Sequence, residues 1–145
     1  MSPMRRVWTF FYGSYINFDV LGEVDLLPEE HEVAVLHGYD LRIRPLANIV
    51  RRDETNVYGI VATATHAELD RLYREHALGV LGGSYLPEAV LVETQNGASR
   101  PALCYIAHEM EDRPADPAYV ERIAGPARRF GFPDWYVRKI EAFKG

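Results

Sequence analysis

The run Val7–Asn17, V-W-T-F-F-Y-G-S-Y-I-N, constrains the fold of this chain more than any other stretch. Its first half is β-branched and aromatic, the composition of a buried strand. The run breaks at Gly13-Ser14, where a residue without a Cβ lets the backbone turn sharply, and Asn17 is placed to cap a short helix from Phe18. A strand that stops at a glycine against a helix start leaves backbone N–H groups without partners, aimed at whatever oxygen lies above them. Tyr12-Gly13-Ser14-Tyr15 is therefore a candidate floor for a small-molecule site. Alone, such a Y-G-S more often marks a plain turn after a core strand.

The remaining chain mixes the two periodicities without regular alternation. Phe18–Leu27 reads as a short helix or ordered loop ending at Pro28. Glu32–Arg44 alternates apolar and polar residues around Gly38, as expected of strand with one wet face, bent or bulged at the glycine. Pro45–Thr55 reads as a polar connection. Val57–Ala64 is a further strand in which Gly59 allows a neighbouring backbone close. Thr65 and Glu68 form a capping box, and Leu69, Leu72, Tyr73 and His76 then share one helical face, with the helix expected to end near Leu78 at Gly79. Tyr85–Thr94 and Arg100–Ala107 are strands joined at Asn96-Gly97, a strong hairpin signal. Asp116-Pro117 starts a helix in which Pro126 predicts a kink or a division in two, and Pro133 opens a last one. The order strand, short helix, strands, helix, hairpin, helices is α+β, not a doubly wound sheet. Curved strands with glycines at 38 and 59 predict closure into a small mixed β-barrel with flanking helices.

A length of 145 residues fits one domain, residues 1–145, with a sizeable core. The net charge of −5 argues against nucleic acid as a partner. No apolar run is long enough to span a bilayer, and Arg5-Arg6 is followed by too short an apolar run for a signal peptide. A cytoplasmic protein without a membrane partner is expected. The single cysteine, Cys104, lies in an apolar run and reads as a buried thiol. The five histidines show no metal-ligand spacing, so no metal is expected. Arg42 and Arg44 share a strand face and read as solvated charges more readily than as a carboxylate clamp.

Glu75 is the candidate proton carrier. On a 3.6-residue wheel it lies about 110° from the centre of the apolar face, at the border of core and solvent. A carboxylate near a helix C-terminus faces the negative end of the dipole, which favours its protonated form and suits general base work if it is desolvated. The plainer alternative is a surface glutamate paired with Arg71. Ser14 lacks a G-x-S-x-G context and a His–Asp partner, so a hydrogen-bonding role fits it better than a nucleophilic one. His76 points toward the core.

The segments F-F-Y-G-S (Phe10–Ser14), A-N-I (Ala47–Ile49), V-Y-G-I-V (Val57–Val61) and L-D-R-L-Y-R-E (Leu69–Glu75), followed by Tyr85, occur in that order. From about Val7 to Val92 the chain resembles the γ-glutamylcyclotransferase-like family, and Tyr119–Tyr136 fits that family's closing helices. The resemblance implies a small β-barrel and a substrate-binding turn at Tyr12, Gly13 and Ser14. It also implies an aromatic at Tyr85 near the pocket and a catalytic glutamate at Glu75. Tyr15 stands where the family usually has asparagine, so Tyr15 bears on substrate choice, and Gly82-Gly83 is a second departure. The implied reaction needs no cofactor, because the α-amine of a γ-glutamyl amide attacks its own γ-carbonyl, giving 5-oxoproline and a free amine. Glu75 would move the proton and the Gly13–Tyr15 amides would hold an oxyanion or the α-carboxylate. Two alternatives stand beside it: removal of a γ-glutamyl group from a specific amine or biosynthetic intermediate, and a non-catalytic small-molecule-binding or interaction domain. The oligomeric state is not legible in the sequence.

Overall fold

A computed structural model of the chain describes residues 5–145. Five strands, β1 (Arg6–Phe11), β2 (His31–Ile43), β3 (Ala47–Thr65), β4 (Leu86–Thr94) and β5 (Ser99–Ile106), form a closed ring in the order β1-β3-β2-β4-β5, flanked by helices. Strand β1 runs antiparallel to β3, and the ring shuts where β1 meets β5 in parallel, Thr9 opposite Leu103 and Phe10 opposite Cys104. Gly59 makes the β1 crossing possible: a Cβ there would stand 2.2 Å from the Phe11 carbonyl oxygen.

Strand β2 (His31–Ile43) shifts register between His37 and Tyr39, so the irregularity expected at Gly38 is present. The polar connection expected at Pro45–Thr55 is instead mostly strand. β3 starts at Ala47 and pairs Ala47 with Ile43 and Arg51 with Tyr39, then pairs Asn56 with His37. Charged residues fit a strand here because Arg51, Arg52, Asp53 and Glu54 are exposed, and pairing with β2 satisfies a backbone whose side chains bury little. Strand β4 (Leu86–Thr94) turns at Asn96-Gly97 into β5, as the dipeptide predicts.

After β1 the chain makes a 3₁₀ turn (Ser14–Ile16) and enters α1 (Phe18–Gly22), whose first turn is capped by the Asn17 side chain accepting from the Asp19 N–H. Helix α2 (His66–Arg71) begins with the expected capping box, Thr65 and Glu68 each bonding the other's backbone N–H. It does not stop near Leu78. It passes into a π-helical run, Leu72–Leu81, and the left-handed residue that ends it is Gly82, at φ +82°, not Gly79. The wider i→i+5 winding of that run resets which side chains face inward.

Helix α3 (Pro117–Arg129) continues through Pro126 without dividing. A proline leaves the carbonyl four residues back without its usual donor. That carbonyl, of Arg122, accepts instead from the Asn17 side-chain amide at 3.3 Å. Helix α4 (Asp134–Ala142) buries Tyr136, Val137 and Ile140 against the ring. No helix among the described residues is long and apolar enough to cross a membrane.

Candidate functional site

A cavity of about 30 Å³ opens over the turn that follows β1, lined by Tyr12, Gly13, Ser14, Tyr15 and Ala47 together with Tyr73, Tyr85, Tyr105 and Tyr119. Gly13 is needed for close contact. A Cβ on it would lie 2.5 Å from the Cβ of Ala47. Ala47 in turn anchors two of the tyrosines: its N–H donates to the Tyr119 hydroxyl at 3.0 Å and its carbonyl accepts from the Tyr85 hydroxyl at 2.5 Å. Asn48 beside it bonds both backbone groups of Ala107, extending the ring's pairing past the end of β5. The A-N-I segment thus locks the turn, the cavity wall and the strand end together.

The tyrosine hydroxyls are spent mostly on the protein. Tyr12 donates to the Tyr105 carbonyl at 2.6 Å, and Tyr15 bonds Nδ1 of His76 at 3.0 Å. The rings of Tyr73 and Tyr105 stack at 3.8 Å, and Tyr15 meets Tyr73 edge-on. Burial pushes the Tyr12, Tyr15, Tyr73 and Tyr85 hydroxyls well above the usual phenol range. Burial also raises the Tyr119 hydroxyl, outweighing the hydrogen bonds with the Ala47 backbone and the Ser14 side chain. All of these phenols are therefore neutral at physiological pH. Tyr73, Tyr85 and Tyr105 also form one wall of a larger open recess of about 460 Å³ that reaches His66, Asp70 and Ser84.

Of the residues expected at the site, Tyr12, Gly13, Ser14, Tyr15 and Tyr85 come together around the cavity. Glu75 does not. It is exposed and takes no part in the lining, and the side chains of its segment that reach the cavity are Tyr73 and Leu81. The expected border position presumed α-helical phase, whereas from Leu72 the segment is π-helical and turns Glu75 outward while burying His76 and Ala77. No carboxylate is among the lining residues. The contributions of Tyr73, Tyr105 and Tyr119 were not singled out from sequence as lining. Tyr73 shares the apolar face of its helix with Leu69 and Leu72, and nothing local separates a cavity-lining ring from a core one.

Other candidates resolve simply. Arg44 pairs with Asp112 at 2.6 Å on the surface and Arg42 is exposed, so neither enters the cavity. Cys104 is fully buried, and burial with the nearby Glu88 charge pushes its thiol up to about 12.

No protein-family model and no curated protein matches the chain. Solved structures do. A structure named gamma-glutamyl cyclotransferase superposes with a TM-score of 0.80 at 24% identity, over 95% of this chain and 88% of the other. An uncharacterised human protein matches with a TM-score of 0.77 at 24% identity over 94% of this chain and 87% of its own. A yeast gamma-glutamyl cyclotransferase specific to glutathione matches at 0.67 and 11% identity over 96% and 95%. The chain has the γ-glutamylcyclotransferase-like fold.

Proposed function

We propose that the cavity receives the α-amino-acid head of a γ-glutamyl amide and that the chain catalyses the cyclisation that releases 5-oxoproline and an amine. The observation that carries this reading is the composition of the cavity: six tyrosines, Tyr12, Tyr15, Tyr73, Tyr85, Tyr105 and Tyr119, set around a turn of backbone amides, with no charged side chain among them. Aromatic faces attract an ammonium group. The N–H groups of Ser14 and Tyr15 open the 3₁₀ turn, whose internal bonds begin only at Ile16, and suit a carboxylate or a developing oxyanion. A head carrying both charges matches both surfaces. The small cavity has room for about two waters, so a ligand enters only if a wall tyrosine, Tyr73 or Tyr85, swings aside. The adjoining recess then takes the amine portion.

Cyclisation needs little beyond a folded substrate and a route for protons, since nucleophile and electrophile are on one molecule. Glu75, held in solvent, is not that route in this reading. Its outward position is also what favours the second reading, a binding module that keeps the pocket without turnover.

The test offers the full chain γ-glutamyl-alanine, γ-glutamyl-lysine and glutathione, following amide shifts of Gly13–Tyr15 and release of 5-oxoproline. Binding with release supports the enzyme. Binding without release supports the module, and the absence of any binding sinks both.

A further inference from the structure

We propose that Tyr15, His76 and Glu23 form a proton relay that serves this cavity, with the Tyr15 hydroxyl as the catalytic acid–base group and His76 and Glu23 as positioning residues behind it. The proposal rests on the γ-glutamyl reading above and supplies the proton route that Glu75 does not.

The three side chains form one line from the cavity wall to the surface. Tyr15, a lining residue, is 8% exposed, and His76 is 5% exposed. The Tyr15 hydroxyl lies 3.0 Å from Nδ1 of His76, and Nε2 of His76 lies 3.1 Å from Oε2 of Glu23. Glu23 is held by Arg122 of α3 at 2.8 Å, and that bond chiefly, with His76, keeps its carboxyl below the usual range against the effect of burial. A carboxylate only accepts, so Nε2 carries the hydrogen, Nδ1 of the neutral ring is an acceptor, and the Tyr15 hydroxyl donates to it. The phenol oxygen retains lone pairs for an N–H from a ligand. The ionisable groups that contact His76 are Tyr15 from the 3₁₀ turn and Glu23 from the end of α1; beyond them, Tyr73 of the π-helical run meets Tyr15, and Arg122 and Tyr119 of α3 touch Glu23 and face Tyr15 respectively.

One departure from the family pattern lies here. The resemblance calls for asparagine at position 15, whose amide neither gains nor loses a proton at ordinary pH. In this chain the tyrosine at position 15 has a buried histidine behind it and a carboxylate behind that, an order of groups that moves a proton without leaving charge on the phenol.

In the reaction, an ammonium proton of the substrate passes to the Tyr15 oxygen as the tyrosine's own proton passes to Nδ1. The resulting imidazolium is balanced by Glu23. The freed amine forms its C–N bond to the γ-carbon, the amide C–N bond breaks, and the relay proton returns through Tyr15 to the leaving nitrogen. The second proton shed by the attacking nitrogen ends on the product amine, which leaves as its ammonium.

Nitrogen-15 NMR of the histidine rings and backbone amides of the full chain, with γ-glutamyl-alanine as probe, tests the relay without depending on turnover. The expected result is the Nε2–H tautomer at His76, a shift of its Nδ1 resonance when the probe moves the Gly13–Tyr15 amides, and loss of that shift in a Tyr15→Phe variant that still binds. Amide shifts with an unresponsive His76, or with the opposite tautomer, overturn the relay and leave the ligand reading standing. No amide shift with any of the three γ-glutamyl compounds overturns the ligand reading and the proposal with it. In the 5-oxoproline assay, Glu23→Gln, at a half-exposed position, lowers kcat at least tenfold with KM little changed. It also moves the acidic limb of the pH–rate profile to lower pH, because the imidazolium loses its counter-charge. A lower rate with an unmoved profile marks a purely structural role and overturns the proposal.

Discussion

The Tyr15 hydroxyl and Nδ1 of His76, 61 residues apart in sequence, meet at 3.0 Å in a buried contact between the opening turn and the π-helical segment. The same contact sets the angle at which the Tyr15 ring stands in the cavity wall, since that ring also meets Phe11, Tyr73 and His76 edge-on.

Removing the hydroxyl while keeping the ring isolates this bond. Tyr15→Phe leaves a buried imidazole nitrogen without a partner, which costs about 1–3 kcal/mol. Glu23→Gln, at a side chain 46% exposed, keeps an acceptor near Nε2 and costs less than about 1 kcal/mol. Urea denaturation of the two variants checks the ranking, and a reversed order would mean that the Glu23–Arg122 pair, not the tyrosine, anchors His76.

The turn itself depends on close contact between Gly13 and Ala47. Gly13→Ala forces two methyl groups into overlap and is expected to destabilise the fold by about 1–3 kcal/mol, as overpacking does elsewhere. Ala47→Gly removes the opposing methyl, so the double variant should recover more than half of the loss on thermal melting. Failure to recover would place the strain in the backbone of the turn.

Asn17 serves two elements at once. Its side-chain oxygen caps α1, while its amide donates to the Arg122 carbonyl that Pro126 leaves unpaired. Asn17→Asp keeps the cap but sets a carboxylate against that carbonyl, and Asn17→Ala loses both, a change of about 1–2 kcal/mol for the cap and more for the carbonyl. Amide exchange should speed up in the middle of α3 in both variants, and in α1 only in the alanine variant.

The buried carboxyl of Asp40 is expected to contribute to acid sensitivity. Burial raises its carboxyl, but ion pairs with Lys139 and Arg52 more than offset this and hold it below the usual carboxylate range. A depressed folded-state value means that the contribution is complete above the unfolded-state value, about 3.9, and is lost as pH falls through the folded-state value. Asp40→Asn should therefore be less stable than the parent chain at pH 7 by about 1–3 kcal/mol, with the difference shrinking as the pH is lowered into the acid range. A difference that is constant with pH would refute the assignment.

Cys104 gives a probe of global opening. A thiol fully buried and pushed up to about 12 presents almost no thiolate near pH 8. A thiol reagent should label it only at the rate of unfolding, and rapid labelling of the native chain would contradict the packing around β5.

Local interactions were legible from the chain alone. The Thr65–Glu68 capping box, the Asn17 cap, the Asn96-Gly97 hairpin and the irregularity at Gly38 each involve residues a few positions apart, where a short side chain can only reach its own backbone. The tyrosine turn was legible because a run of β-branched and aromatic residues stopped at a glycine, and the order of the motifs carried the resemblance to the fold. Tertiary structure decided the rest. Whether residues 47–56 are loop or strand depends on β2 lying alongside, since their own side chains bury too little to say. Pro126 does not divide α3, because Asn17, more than a hundred residues earlier, supplies the missing donor. That Tyr73 lines the cavity while Glu75 faces solvent follows from a change of helical pitch, an arrangement that no wheel drawn at a single period contains. The line Tyr15–His76–Glu23 exists only once the ring closes, because a hydrogen bond between distant residues is dictated by where the whole chain brings them and not by the sequence around either one.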